Sequence, residues 1–209
     1  MEKNLDELKL SFKQLYSPQI MDYGPKFPQS IGEPEEMRAK LCAAYELHVE
    51  QRGDHVIWDD MANESVDSVI SWMYDEKHKW LILYGSLGNG KTTMLKSLKT
   101  VFSRLSLSFS AQKLYDYFKD NERLPDIPNT KILLIDDLGA EPIQCKIFGE
   151  DRAPLTELLM HRYAWNATTV IATNLTFEDI QTRYGVRIID RMAEMATAIL
   201  YDTPSYRGR

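Results

Sequence analysis

Apolar residues recur at helical spacing through the first third of the chain and gather into short dense runs further on. Residues 3–17 carry Leu5, Leu8, Phe12, Leu15 and Tyr16 three or four positions apart, which predicts an amphipathic helix. Pro18, Gly24, Pro25, Pro28, Gly32 and Pro34 then break every period, so 18–34 reads as an irregular connection and the best linker in the sequence. Helical spacing returns over 35–52, with Met37, Leu41, Tyr45, His48 and Val49 on one face and Gly53 as the stop. Val66, Val69, Ile70 and Met73 mark another helix.

After that helix the chain alternates. Trp80–Tyr84 predicts a strand, and 91–105 a helix facing inward with Leu95, Leu98, Val101, Phe102 and Leu105. A strand at Leu107–Ala111 and a helix over 112–121 follow. Ile132–Ile135 is apolar without alternation, as expected of a strand buried on both faces. A helix over 154–165, a strand over 168–173, helical turns over 177–183 and 186–195, and a last strand at Ala198–Tyr201 complete the pattern. Repeated strand–helix alternation predicts an α/β fold, a parallel sheet with helices on both faces. There are no internal repeats and no low-complexity tracts.

Composition narrows the function classes. The 209 residues are 44% apolar, enough for a buried core. No apolar run approaches the roughly 20 residues that span a bilayer, and the first ten residues, MEKNLDELKL, lack the apolar stretch of a secretory signal. A cytoplasmic location without membrane contact is the expectation. Cys42 and Cys145 form no CxxC pair and the four His do not cluster, which argues against structural zinc and against a disulfide framework. The charge is uneven: residues 1–79 hold 9 Lys/Arg against 16 Asp/Glu, net −7, and 80–209 hold 16 against 15, net +1. This balance disfavours nucleic-acid binding by the monomer surface as a whole and suits a protein contact near the N-terminus.

Four stretches carry chemistry. Gly85-Ser86-Leu87-Gly88-Asn89-Gly90-Lys91-Thr92 fits GxxxxGK[ST] without deviation, after a predicted strand and opening a predicted helix. Its glycines let backbone N–H groups converge on phosphate oxygens, and the helix N-terminus adds its positive end. Lys91 is expected on the β- and γ-phosphates of ATP, Thr92 on Mg²⁺, and Thr93 completes the nucleotide-binding set. Ile132–Ile135 runs into Asp136 and Asp137. Beside a P-loop these read as Walker B, Asp136 with the magnesium ion and Asp137 polarising the attacking water. Many P-loop ATPases carry Glu at the second position. The shorter Asp must bring its backbone closer or act through a water. Strand 168–173 ends at Asn174, either a cap of the next turn or a sensor of the γ-phosphate. Arg187 and Arg191 share a helical face, available for pairing with Asp190 or Glu194 or, in the case of Arg187, as an arginine finger reaching a neighbouring subunit's ATP.

The P-loop, the Leu134-Ile135-Asp136-Asp137-Leu138-Gly139-Ala140-Glu141 run, Ala172-Thr173-Asn174-Leu175, the Tyr184–Arg191 run and the tail Ser205-Tyr206-Arg207 together resemble the DnaC/IstB family of AAA+ ATPases. The likeness covers about residues 60–209 with the motifs in family order. It implies a doubly wound P-loop sheet, subunits side by side with ATP at their interface, Arg187 as the finger, and single-stranded or duplex DNA contacted weakly by the assembly. Two domains are expected: an AAA+ ATPase domain over 61–209 from the resemblance, and a helical partner-binding segment over 1–60 from the charge split. The chain runs about eight residues past its last strand, so no C-terminal helical lid and no second sensor arginine are expected, with Arg207 as a partial substitute. Residues 1–60 match no family N-terminal domain, and 142–153 are not diagnostic. Three roles stay open: a replicative helicase loader, favoured; a transposition helper that recruits a transposase; and an ATP-gated adaptor without nucleic acid. A small-molecule P-loop kinase fits less well, because no lid is evident after the P-loop.

Overall fold

The computed structural model describes residues 26–27, 31–120, 127–147 and 149–202. The expected helix over 3–17 and the candidate Arg207 lie outside them. Helix α1 (Pro34–Glu50) begins with Pro at its first turn, followed by Glu35 and Glu36, and ends near His48, an order that suits the helix dipole at both ends. Helix α2 (Asp60–Tyr74) starts on Asp59, whose carboxylate accepts from the Ala62 N–H at 2.9 Å. Then follow β1 (Trp80–Gly85), α3 (Lys91–Val101), β2 (Ser106–Ser110), α4 (Ala111–Asp120) and β3 (Ile132–Leu138). A hairpin of β4 (Cys145–Ile147) and β5 (Glu150–Arg152) precedes α5 (Pro154–Ala164), β6 (Thr168–Thr173), α6 (Phe177–Tyr184), α7 (Val186–Met195) and β7 (Ala196–Tyr201).

Five strands form one parallel sheet in the order β2-β3-β6-β1-β7. Alternate side chains of one strand enter different cores. Leu81 and Leu83 of β1 join Met37, Leu41, Val66, Leu95 and Leu98 under α1–α3, while Trp80 and Ile82 join Leu114, Leu158, Ile180 and Ile188 under α4–α7. The same split divides Ile132 and Leu134 from Leu133 and Ile135 in β3. The expected α/β sheet with helices on both faces is therefore present. No helix among the described residues is long and apolar enough to cross a membrane.

The boundary expected near residue 60 crosses a packed region. Helix α1 lies along α3, with His48 hydrogen-bonded to Thr100 at 2.8 Å. Within the stretch expected to be a linker, Phe27 is buried, stacked on Phe102 at 4.5 Å between ring centres and edge-on to Trp72 at 5.6 Å. Lys26 beside it donates to the Trp72 and Asp75 carbonyls, both at 2.5 Å. A disconnected 18–34 is corrected at these two residues: an aromatic pair and two backbone carbonyls hold them on the core. The helix expected over 91–105 ends at Val101, where Phe102 leaves helical geometry and turns its ring into the core.

Candidate functional site

The carboxyl ends of β1, β3 and β6 face one cleft, the general position for ligands in an open parallel sheet. After β1 the chain turns tightly at Gly85 (φ +131), where a Cβ would run into the Tyr201 carbonyl. Gly90 (φ +92) caps α3 in the left-handed region, and a Cβ there would meet the Tyr45 hydroxyl. The first helical N–H bonded to a carbonyl is that of Met94, on Gly90 at 2.8 Å, so the N–H groups of the first turn end on the cleft. Lys91 is buried, and its ammonium donates to the Gly85 and Ser86 carbonyls at 2.8 and 2.5 Å. The Thr92 hydroxyl donates to Asp136 Oδ1 at 3.0 Å, and the Asp137 N–H donates to the same oxygen at 3.1 Å.

The β3–β6 register shifts between Ile135 and Leu138, and Asp137 within that shift has φ 52. Such an irregularity redirects a side chain, and a non-glycine residue in the left-handed region costs about 1 kcal/mol or more. Asp137 is exposed to the cleft. Burial, and next the charge of Asp137, hold the Asp136 carboxyl above its usual range, against the pull of the Thr92 hydrogen bond.

These groups border a cavity of about 450 Å³ lined by residues 87–93, Asp137 and Asn174. Its opposite wall is Tyr45, Val49, Arg52, Asp54, His55, Val56 and Ile57, from the end of α1 and the turn after it. Sequence reasoning missed this wall: the turn carries no phosphate-binding pattern, and only the packing of α1 on α3 brings it there. Arg52 donates to Thr93 at 3.1 Å and so fixes the turn to the loop helix. Asn174 does not cap α6. Thr176 does, in a reciprocal capping box with Asp179.

Arg187 is exposed at the start of α7, away from the cavity lining, and has no ion pair among the described residues. Arg191 instead lies over the Tyr163 ring at 4.4 Å and approaches Glu194 at 3.5 Å.

The residues suit a nucleotide with a divalent ion. A glycine-lined loop, a buried lysine and a helix N-terminus match phosphate, and a hydroxyl facing a crowded carboxylate pair matches a hard cation.

No protein-family model matches the chain. It is 22% identical over 169 residues to the replicative helicase loader DnaI of Bacillus subtilis (strain 168), covering 70% of this chain and 53% of that one. The chain thus spans about half the length of that curated relative. Among solved structures, that of DnaI superposes with a TM-score of 0.57 at 22% identity, over 81% of this chain and 93% of the other. The replication initiator DnaA, bound to AMPPCP and single-stranded DNA, gives 0.52 at 16% identity, over 69% and 48%. Sheet order and these likenesses show that the chain shares its fold, a five-stranded parallel sheet flanked by helices, with the solved DnaI and DnaA structures.

Proposed function

We propose that this chain binds ATP-Mg and hydrolyses it in an assembly of subunits, and that it acts as a replicative helicase loader. The observation that carries the reading is the placement of Lys91, Thr92 and Asp137 at one cavity, with Asp136 hydrogen-bonded to Thr92 behind them. Lys91 exchanges its two loop carbonyls for the β- and γ-phosphates, a gain because the acceptors become charged. Thr92 and Asp136 hold the magnesium ion, which when bound neutralises charge on the phosphate oxygens. Asp137, turned out of the strand by its register shift, orients the attacking water and draws on its proton. Asn174, at the cleft end of β6, holds the same water or the γ-phosphate. Arg187 serves the ATP of the next subunit, which accounts for its exposure and for its distance from its own cavity.

The loader is favoured because the matched relative is named a replicative helicase loader, and the matched initiator was solved with an ATP analogue and single-stranded DNA. Partner recruitment is then assigned to residues 1–25, ahead of Lys26 and Phe27. The test uses Asp137→Asn, since Asn also tolerates a positive φ. The full-length variant should keep ATP affinity, lose turnover by about 100-fold, and accumulate a complex with the hexameric replicative helicase of its own cell. ATP binding with no helicase complex, and retention of a transposase instead, would reverse the assignment.

A further inference from the structure

Glu141 ends the turn that follows β3, four residues after Asp137, and its side chain is fully buried. A carboxylate taken out of water needs dedicated donors. One is local: the Gly139 N–H donates to Oε2 at 2.9 Å. The others come from the end of α6. Tyr184 donates its hydroxyl to Oε1 at 2.5 Å. The Arg183 guanidinium lies 3.8 Å from Oε1 and also donates to the Glu141 carbonyl. Gly185 (φ +89) follows at once and opens α7, whose second residue is Arg187. Ile188, Met192 and Met195 bury the inner face of α7 and leave Arg187 outside.

The same turn is tied to β6. Thr173 donates to the Leu138 carbonyl at 2.6 Å and accepts from the Leu175 N–H at 3.1 Å. The turn 138–141, which follows Asp137, is therefore bonded on one side to Thr173, the neighbour of Asn174, and on the other to the corner before Arg187. Two motifs more than forty residues apart in the chain, the run ending in Glu141 and the run beginning with Tyr184, meet in one hydrogen bond.

We infer that Glu141 is a positioning residue: it locks the corner carrying Arg187 to the strand exit carrying Asp137, so that the ATP site of one subunit sets the placement of the arginine offered to the next. The inference rests on the ATP-dependent assembly proposed above. Tyr184→Phe removes the hydroxyl and keeps the ring. In the full chain this variant should bind a fluorescent ATP analogue within about threefold of the unmodified protein, while turnover at saturating ATP falls about 10- to 100-fold. The double variant should turn over no more slowly than Arg187→Ala alone, because Tyr184 acts through the arginine. If Tyr184→Phe folds poorly, Arg183→Ala probes the same link from the rim of the network. Wild-type turnover in both variants, or losses that multiply with Arg187→Ala, would overturn the coupling while leaving the ATPase reading intact. Absence of Lys91-dependent turnover in the unmodified chain would overturn the ATPase reading, and the coupling with it.

Discussion

The carboxylate of Asp136 lies between Thr92 and Asp137, and both neighbours shape its titration. Burial and the Asp137 charge raise its folded pKa above the unfolded value. Between those two values the folded state holds the extra proton, so the stabilisation is present at low pH and is lost as pH rises through the folded pKa. At neutral pH the ionised group therefore opposes folding until a cation joins it. Asp136→Asn keeps an acceptor for Thr92 and removes the charge. Without nucleotide its thermal midpoint at pH 7 should rise by about 2–4 °C, and the gap should close toward pH 4. Magnesium-dependent ATP binding should be lost in the same variant. A lower midpoint at pH 7 would show that the ionised carboxylate stabilises the fold. Asp136 and Asp137 could be read from the chain because an apolar strand with no alternation ended on them. Arg52 and His55, on the far wall of the cavity, could not, since their place depends on a helix-on-helix contact.

Among the elements, those long enough to repeat their period were legible and the shortest were not. Strand β6 and helix α7 lie over the residues their patterns indicate. The hairpin of β4 and β5 has three residues per strand, too few for alternation to register, and 142–153 is not diagnostic in sequence. Phe27 was missed for another reason: a single aromatic residue among prolines has no period at all, yet it fills the space between Trp72 and Phe102. Phe27→Ala should destabilise the protein by about 3 kcal/mol, measured by urea unfolding. A change below about 0.5 kcal/mol would mean that the ring contributes nothing to the core and that 18–34 behaves as a tether throughout. The result also sets where an N-terminal truncation can end: ahead of Lys26 for a stable ATPase domain.

For the whole molecule, a parallel sheet with helices on both faces followed from strand–helix alternation, while the strand order β2-β3-β6-β1-β7 did not, since alternation alone does not say which strands are neighbours. Assembly did not follow in the same way. It rests on Arg187, which the fold presents outward at the corner held by Glu141. The uneven charge, −7 over residues 1–79 and +1 over 80–209, suits a protein partner at one end and a modest, salt-sensitive DNA contact along the assembled subunits. All of these roles depend on ATP entering the loop of Gly85–Thr92. The most direct measurement is ATP turnover by the full chain and by Lys91→Ala, at one ATP-Mg concentration and over a range of protein concentrations. The unmodified chain should hydrolyse ATP, faster per subunit as concentration rises, and Lys91→Ala should show at most about 1% of that rate at every concentration. Equal turnover by the two proteins would contradict the account.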